Sequence, residues 1–460
     1  MSINIKKAAS AALMAAAALT ASAQDTQSGY FVEDFTYRYL LNPAMDNSKG
    51  FVAIPAIGNI GFNLRGNTSL TDVLYNVDGR TTTFMNPGVS ASEAMSNFSD
   101  NNRIGFDTRI NILAAGFKAF HGYNTVTIGA RASAHANIPK SIFSFLKEGI
   151  SNQDYDLSGM GATGMAYAEI ALGHSHRITD EWRVGANVKF LVGIAGMDLD
   201  LTTAHLSLME NSWNVTTNAR IHASIKGMQY KMDHNSHTGL DYVDGLDGSF
   251  SAPNGFGMGF DLGAVYTPKM LPDWQFSLAV NDLGFINWQN DILASTNGDK
   301  TFRTDAYTFN PDDNAPNSFK NEWKEMRNQL ESIYQLESDG NVGNHMQPLN
   351  ATFHVGARYT LPYYRPLKFG LLNTTRIAGK FTWTDFRLSA NVAPCKVFSA
   401  GVNLSAGNLG CGFGWIANLH APGFNLFLAQ DHTFSKLAKQ GIPLSRNASF
   451  TLGMNVLLSK

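Results

Sequence analysis

Apolar and polar side chains alternate strictly along this chain, in segments of about ten residues. In 449–460 (SFTLGMNVLLSK), Phe450, Leu452, Met454, Val456 and Leu458 share one face, opposite Thr451, Gly453, Asn455 and Ser459. In 181–193 (EWRVGANVKFLVG), Trp182, Val184, Ala186, Val188, Phe190 and Val192 oppose Arg183, Gly185, Asn187 and Lys189. Residues 255–268 set Phe256, Met258, Phe260, Leu262 and Ala264 against Gly257, Gly259, Asp261 and Gly263, and 409–418 repeat the pattern. Further strands are predicted near 57–66, 103–117, 125–136, 163–174, 274–286, 349–361, 367–377, 381–393, 397–406 and 424–430, with a weaker pair flanking Asn211 and Ser212.

Period-two segments of this length predict an all-β chain, a transmembrane antiparallel β-barrel of about 14–16 strands. A soluble sandwich also alternates, but its polar face is usually rich in Lys and Glu. Here the polar faces carry Gly, Asn, Ser and single charges, as a lumen wall does. Trp182, Tyr266, Trp274, Trp288 and Trp383 flank apolar runs, as residues at a membrane–water interface would. Closure also satisfies every strand's backbone groups in lipid. Short turns (119–124, 268–273, 361–366, 393–396, 420–423) should lie on the periplasmic side, and the long connections 67–102, 226–254 and 288–347 outside. Small helices are predicted in the external connections, over 139–149, where Gly149 stops the run, and over 317–340.

Composition adds the compartment. Charged residues are 16% of the 460, below the roughly 25% of soluble domains. Lys6 and Lys7, the apolar run to Leu19 and the small residues Ala21, Ser22 and Ala23 read as a signal peptide over 1–23. No later run reaches the roughly 20 apolar residues a membrane helix needs. The expected organisation is the leader, an N-terminal plug segment over 24–55 and a barrel over 56–460, in the bacterial outer membrane with its lipid as a partner. A net charge of −2 gives no sign of a nucleic-acid partner. Cys395 and Cys411 are separated by a whole strand and should not be bonded.

The segments LLNPAM (40–45), AEIALGHS (168–175), VGANVKFLVG (184–193), RASAHANIPKSIFSFLKEG (131–149) and GFDLGAVYTPKMLPDWQFSLAVNDLGFINW (259–288) resemble a Bacteroidota outer-membrane barrel family of unknown function. The DLG and NPA elements are more distantly similar to FadL-type channels for hydrophobic molecules, and to PorV- and PorP/SprF-like barrels linked to secretion. The resemblance implies about fourteen strands, an N-terminal segment folded into the lumen and, in some relatives, a hydrophobic ligand. It does not extend to the last residue, Lys460, which stands where such barrels usually end in an aromatic.

Candidate chemistry is sparse. No nucleophile elbow, phosphate-binding loop or zinc motif is present, and neither catalysis nor a cofactor is expected. Asp233, His234 and His237, with Asp241, Asp244 and Asp247, lack the spacing of a calcium loop and read as a solvated external loop. His174 and His176 share a side, with Ser175 on the other. Glu169 and Lys189 fall on inward faces of neighbouring strands and suggest a lumen charge pair. Arg103, Asp107 and Arg109 share an inward face, as do Asp385 and Arg387, so the lumen should be cross-braced.

Two irregular places carry the functional expectation. After Val280, Leu283 and Phe285 fall out of step, so a bulge is predicted at Asn281 or Asp282, a candidate lateral exit. Residues 37–45 (YRYLLNPAM) are too apolar for a solvated tail and too irregular for a strand. Phe31, Phe35, Tyr37, Tyr39 and Leu40 are expected to fill the lumen, with Asn42 and Pro43 forming a turn and Arg38 meeting an inward carboxylate. The expected activity is passive uptake or binding of a small hydrophobic compound through an occluded lumen. The alternative is a structural barrel that docks another envelope protein.

Overall fold

The computed structural model describes residues 26–149, 152–209, 212–235, 239–304, 318–333, 335–434 and 445–458. The leader and His237 lie outside them. Fourteen antiparallel strands close into a barrel. They are β1 (Phe51–Ala53 and Ile60–Gly66), β2 (Asn101–Ala119), β3 (Gly122–Pro139), β4 (Gly161–Arg177), β5 (Trp182–Leu208), β6 (Gly255–Tyr266) and β7 (Trp274–Ser295). There follow β8 (Thr352–Thr360), β9 (Leu367–Arg376), β10 (Trp383–Cys395), β11 (Phe398–Gly407), β12 (Gly410–Leu419), β13 (Asn425–Gln430) and β14 (Ala448–Leu457). Closure comes where β14 pairs with β1, Val456 against Val52 and Leu452 against Ile60, while β1 also pairs with β2.

The alternation sorts side chains as the pattern predicts. Phe256, Leu278, Leu388 and Leu404 on the outer face are 53–62% exposed, whereas inward Asn187, Asn403, Asn418 and Asn455 are buried. An exposed apolar belt of this extent exceeds the patches that soluble monomers usually present. Trp182 stacks on Tyr266 at 4.5 Å and Trp274 packs on Tyr359 at 5.0 Å, both on the outside. Trp288 and Trp383 do not join them. Both are buried, Trp288 donating to Gln347 Oε1 (2.9 Å) and Trp383 lying under the Arg65 guanidinium. Local runs placed these two indoles near the rim but did not fix the face, because Trp383 begins its strand and Trp288 follows the irregularity in β7.

β5 and β7 run far past the segments predicted from periodicity. Trp213–Ser224 pairs with both, and Glu337–Pro348 pairs with β7, so the wall rises beyond the barrel on the side of the long connections. The two predicted helices form at Lys140–Glu148 and Phe319–Ser332. Gly149 ends the first at φ 66°, a backbone region that favours glycine. Two more, Leu70–Val73 and Ala91–Ser96, were not predicted. Phe98 stacks on Phe143 at 3.9 Å beside the latter, tying the 67–100 connection to the helix Lys140–Glu148.

Candidate functional site

The irregular N-terminal segment lies inside the ring of strands. Tyr30, Phe35, Tyr37, Tyr39, Leu41 and Asn42 are at most 3% exposed. Two single-turn 3-10 helices, Gln27–Gly29 and Arg38–Leu40, leave most backbone groups without a ladder partner. Inward polar side chains take that role. The amides of Gln27 and Ser28 donate to Asp431, Asn281 Nδ2 donates to the carbonyls of Leu40 (3.1 Å) and Leu41 (2.9 Å), and Asn42 Nδ2 donates to Leu278 O (3.3 Å). Asn42 Oδ1 accepts from the Ala44 amide at 2.9 Å and so sets the Asn-Pro turn. The tyrosines reach different walls: Tyr30 donates to Ser277, Tyr37 to Asn455, and Tyr39 bonds Thr127.

Wall glycines make room for this segment. A Cβ at Gly370 would stand 2.2 Å from Phe31 Cδ2, one at Gly185 2.2 Å from Pro43 O, and one at Gly263 2.1 Å from Asn42 Oδ1. Any side chain there would collide with 31–43, so the inward glycines of β5, β6 and β9 match this occupant. Arg38 departs from expectation. The single helical turn directs it back along its own segment, where it donates to Asp46 O (3.1 Å) instead of a wall carboxylate.

A network of charges spans the lumen above the segment. Arg109 bonds Glu169 (2.9 Å), Arg131 bonds Asp282 (2.7 Å) and lies 3.6 Å from Glu169, and Lys189 bonds Asp282 (2.6 Å) and Asp261 (2.7 Å). The expected direct pair of Glu169 and Lys189 is therefore replaced by a shared network. In the strand register Glu169 faces Leu191 and Lys189 faces Ala171, which leaves Arg109 and Asp282 as better placed partners. Asp107, with Arg376 at 2.8 Å and His135 at 3.2 Å, continues the bracing. Arg65 and Arg387 both bond Asp385, while Arg103 donates to Thr382 O. The cavity among Asp107, Arg109, Arg131, Tyr167, Asp282 and Arg376 is only about 20 Å³, room for about one water.

β7 is irregular where the sequence falls out of step. Opposite it, Phe260 faces Leu283 and Leu262 faces Val280, so Asp261 alone stands against Asn281 and Asp282. Asp282 adopts φ 59°, a left-handed conformation that Asp tolerates better than most residues, and its amide donates to Asp261 Oδ1 (2.8 Å). On the other edge the ladder with β8 stops at Asn281 and Thr352, and pairing with the separate strand Glu337–Pro348 begins at Phe285 and Pro348. One bond, Leu349 N–H to Gly284 O (2.9 Å), bridges the interval. Just above, Met165, Tyr167, Leu191, Ile286, Trp288 and Leu349 form an apolar cluster on the inward side.

The profile of DUF5723, a family of unknown function, matches residues 43–431. The chain belongs to this family. No curated protein matches it. Among solved structures, the Pseudomonas putida toluene transporter TodX is 10% identical, with 90% of this chain and 91% of that one covered at a TM-score of 0.37. The Ralstonia pickettii toluene transporter TbuX is 8% identical, with 93% and 94% covered at 0.39. The translocator domain of autotransporter NalP from Neisseria meningitidis is 8% identical, with 89% of each covered at 0.30. Likenesses this weak carry no argument, and the barrel of this DUF5723 protein stands on its own strand pairing.

The other sequence candidates stay apart from the lumen. His174 and His176 are outward neighbours on β4, their rings 6.0 Å apart, with Ser175 buried on the opposite face. Asp233 and His234 belong to an exposed hairpin, Met228–Asn235 with Leu240–Gly248, where His234 bonds Asp241 and Lys231 bonds Asp244. Cys395 and Cys411 are free. Arg131 and Asp261, central to the charge network, were missed. Arg131 lies in a run of small residues with weak alternation, and nothing local distinguishes Asp261 from other single charges on a strand.

Proposed function

We propose that this DUF5723 protein resides in the bacterial outer membrane and takes up or binds a small hydrophobic compound, with its N-terminal segment as the plug of the lumen. The observation that carries the reading is the inward apolar cluster around Trp288 and Leu349, set directly beside the break along β7 between its pairing with β8 and its pairing with Glu337–Pro348. An apolar solute entering from the side of the long connections meets this cluster before the charge network. Beneath it stands the charge network, whose buried ions lose stabilisation if their polar contacts are displaced. Residues 26–47 fill the space below. Straight passage is thus closed, and the gap at 282–284 is the sideways route into the lipid-facing belt. No chemical step is involved.

Uptake of an apolar fluorophore such as N-phenylnaphthylamine tests this in cells with intact lipopolysaccharide, a barrier to such molecules. Cells expressing the protein should take up the dye several-fold faster than cells expressing an unrelated closed barrel. Leu349→Lys, which places a charge in the cluster, should return the rate to that of the control, with folding verified by heat-modifiable gel mobility. Equal rates for the wild type and the control barrel would refute the proposal.

A further inference from the structure

Beyond the barrel proper, the raised wall brings together residues far apart in sequence. His222, Asp291 and His345 offer ligand atoms that all lie within 4.8 Å of one another. They sit on three adjacent strands: Trp213–Ser224, β7 and Glu337–Pro348. Asp198 stands directly opposite His222 on the next strand, β5. Asp200, two residues along the same face of β5, is bonded by Lys380 from the Gly379–Phe381 turn between β9 and β10. That contact crosses the mouth, so this face looks into the entrance.

Asp291 is fully buried, yet Ser224 Oγ (2.7 Å) and His222 Nδ1 (2.6 Å) are its side-chain partners, and no Lys or Arg pairs with it among the described residues. A buried carboxylate needs a counter-charge. The His222 and His345 rings stack at 4.5 Å with an interplanar angle of 17°. Among the described residues no hydrogen bond engages the His345 ring.

We propose that His222, Asp291 and His345 bind one divalent transition-metal ion at the entrance of the barrel, with water completing its coordination. Two imidazoles and one carboxylate suit zinc and its first-row neighbours, whereas calcium and magnesium require oxygen donors throughout. Ligand bonds of about 2.0–2.2 Å ask only that the present donor atoms draw together by small side-chain rotations. The ion supplies a fixed positive charge beside Asp291 and ties three strands of the raised wall into one unit. Tyr230, from the hairpin above, already bonds the carbonyls of Ile221 (2.8 Å) and Ile292 (3.4 Å), each one residue from a ligand. The hairpin thereby closes over the same strands.

The test uses tag-free, full-length protein in detergent micelles, stripped with a chelator and titrated with zinc by calorimetry. One equivalent should bind, and His222→Ala and His345→Gln should each weaken it at least about tenfold. His234→Ala, in the exposed hairpin, should leave the affinity unchanged. Copper(II) loaded into the wild type should show coupling to two imidazole nitrogens by electron paramagnetic resonance, and to one in each variant. Both histidines are partly exposed, so the variants should fold, which heat-modifiable mobility verifies. Absence of wild-type zinc binding at millimolar concentration would overturn the site. So would wild-type affinity in the double variant.

Discussion

Asn281 and Asp282 are consecutive residues, yet both side chains point into the lumen, 4% and 7% exposed. The bulge in β7 allows it, since a regular strand would turn one of them to the outer face. Asn281 holds the carbonyls of Leu40 and Leu41, and Asp282 holds Arg131 and Lys189. One irregularity therefore fastens the N-terminal segment and anchors the charge network. Asp282→Ala should destabilise the barrel by about 3–5 kcal/mol, because two buried cations lose a partner. Asp282→Gly suits the left-handed backbone but removes the same charge, and should recover no more than about 1 kcal/mol of that loss. Chemical unfolding in micelles gives both values. A fully stable Asp282→Gly would show that backbone conformation, not charge, is what the position requires.

Gly370 and Phe31 make a paired test of the segment's seat. Gly370→Ala forces a methyl group against the Phe31 ring, and overpacking of this kind costs about 1–3 kcal/mol. Phe31→Ala opens a cavity of its own, but in the double variant the two errors should partly cancel. Limited proteolysis of the N-terminal segment should show increased cleavage in Gly370→Ala and a return toward wild type in the double variant. Additive damage would mean that the ring and the glycine do not meet.

The two cysteines report orientation. Cys395 is the last residue of β10, beside the short turn to β11, and Cys411 lies at the other end of the barrel, next to the turn at 408–409 that opens β12. On intact cells a membrane-impermeant maleimide should label Cys411 and spare Cys395. Labelling should thus disappear in Cys411→Ser and persist in Cys395→Ser. The reverse pattern would invert the barrel and place the long connections in the periplasm.

Much of the barrel was legible because a strand buried on one face must alternate. The 255–266 and 367–376 segments carry that signal with no long-range information, and their boundaries fall within a residue or so of prediction. The step at Leu283 and Phe285 was legible for the same reason, as a break in period. What alternation cannot encode is which inward charge meets which across the lumen. Glu169 and Lys189 were correctly read as inward, but their partners depended on register and on Asp282, which only the bulge turns inward. Trp288 and Trp383 were assigned to the rim by residue type, whereas burial and their neighbours Gln347 and Arg65 decide the face. His222, Asp291 and His345 gave no signal at all, being spread over more than a hundred residues and joined only where the wall rises past the predicted strand ends.

The N-terminal segment offers the most direct experiment. Its aromatic side chains occupy the lumen, its backbone groups are met by Asp431, Asn281 and other wall side chains, and glycines stand where any larger residue would collide with it. If the segment is the plug, deleting residues 25–47 while keeping the leader removes most of the material below the charge network and leaves all fourteen strands. The wall should survive, because its ladders close without the segment: β14 meets β1 from Phe51 onward. The buried polar groups that the segment satisfied would then be met by water, which a widened lumen admits. In planar bilayers the truncated protein should give larger or more frequent conductance steps than the full-length chain. The charge network limits the gain, so Asp282→Ala combined with the deletion should widen the steps further. Unchanged conductance in a truncated barrel shown to be folded by heat-modifiable mobility would reject the plug. It would favour instead an arm that serves another envelope protein from the periplasmic side.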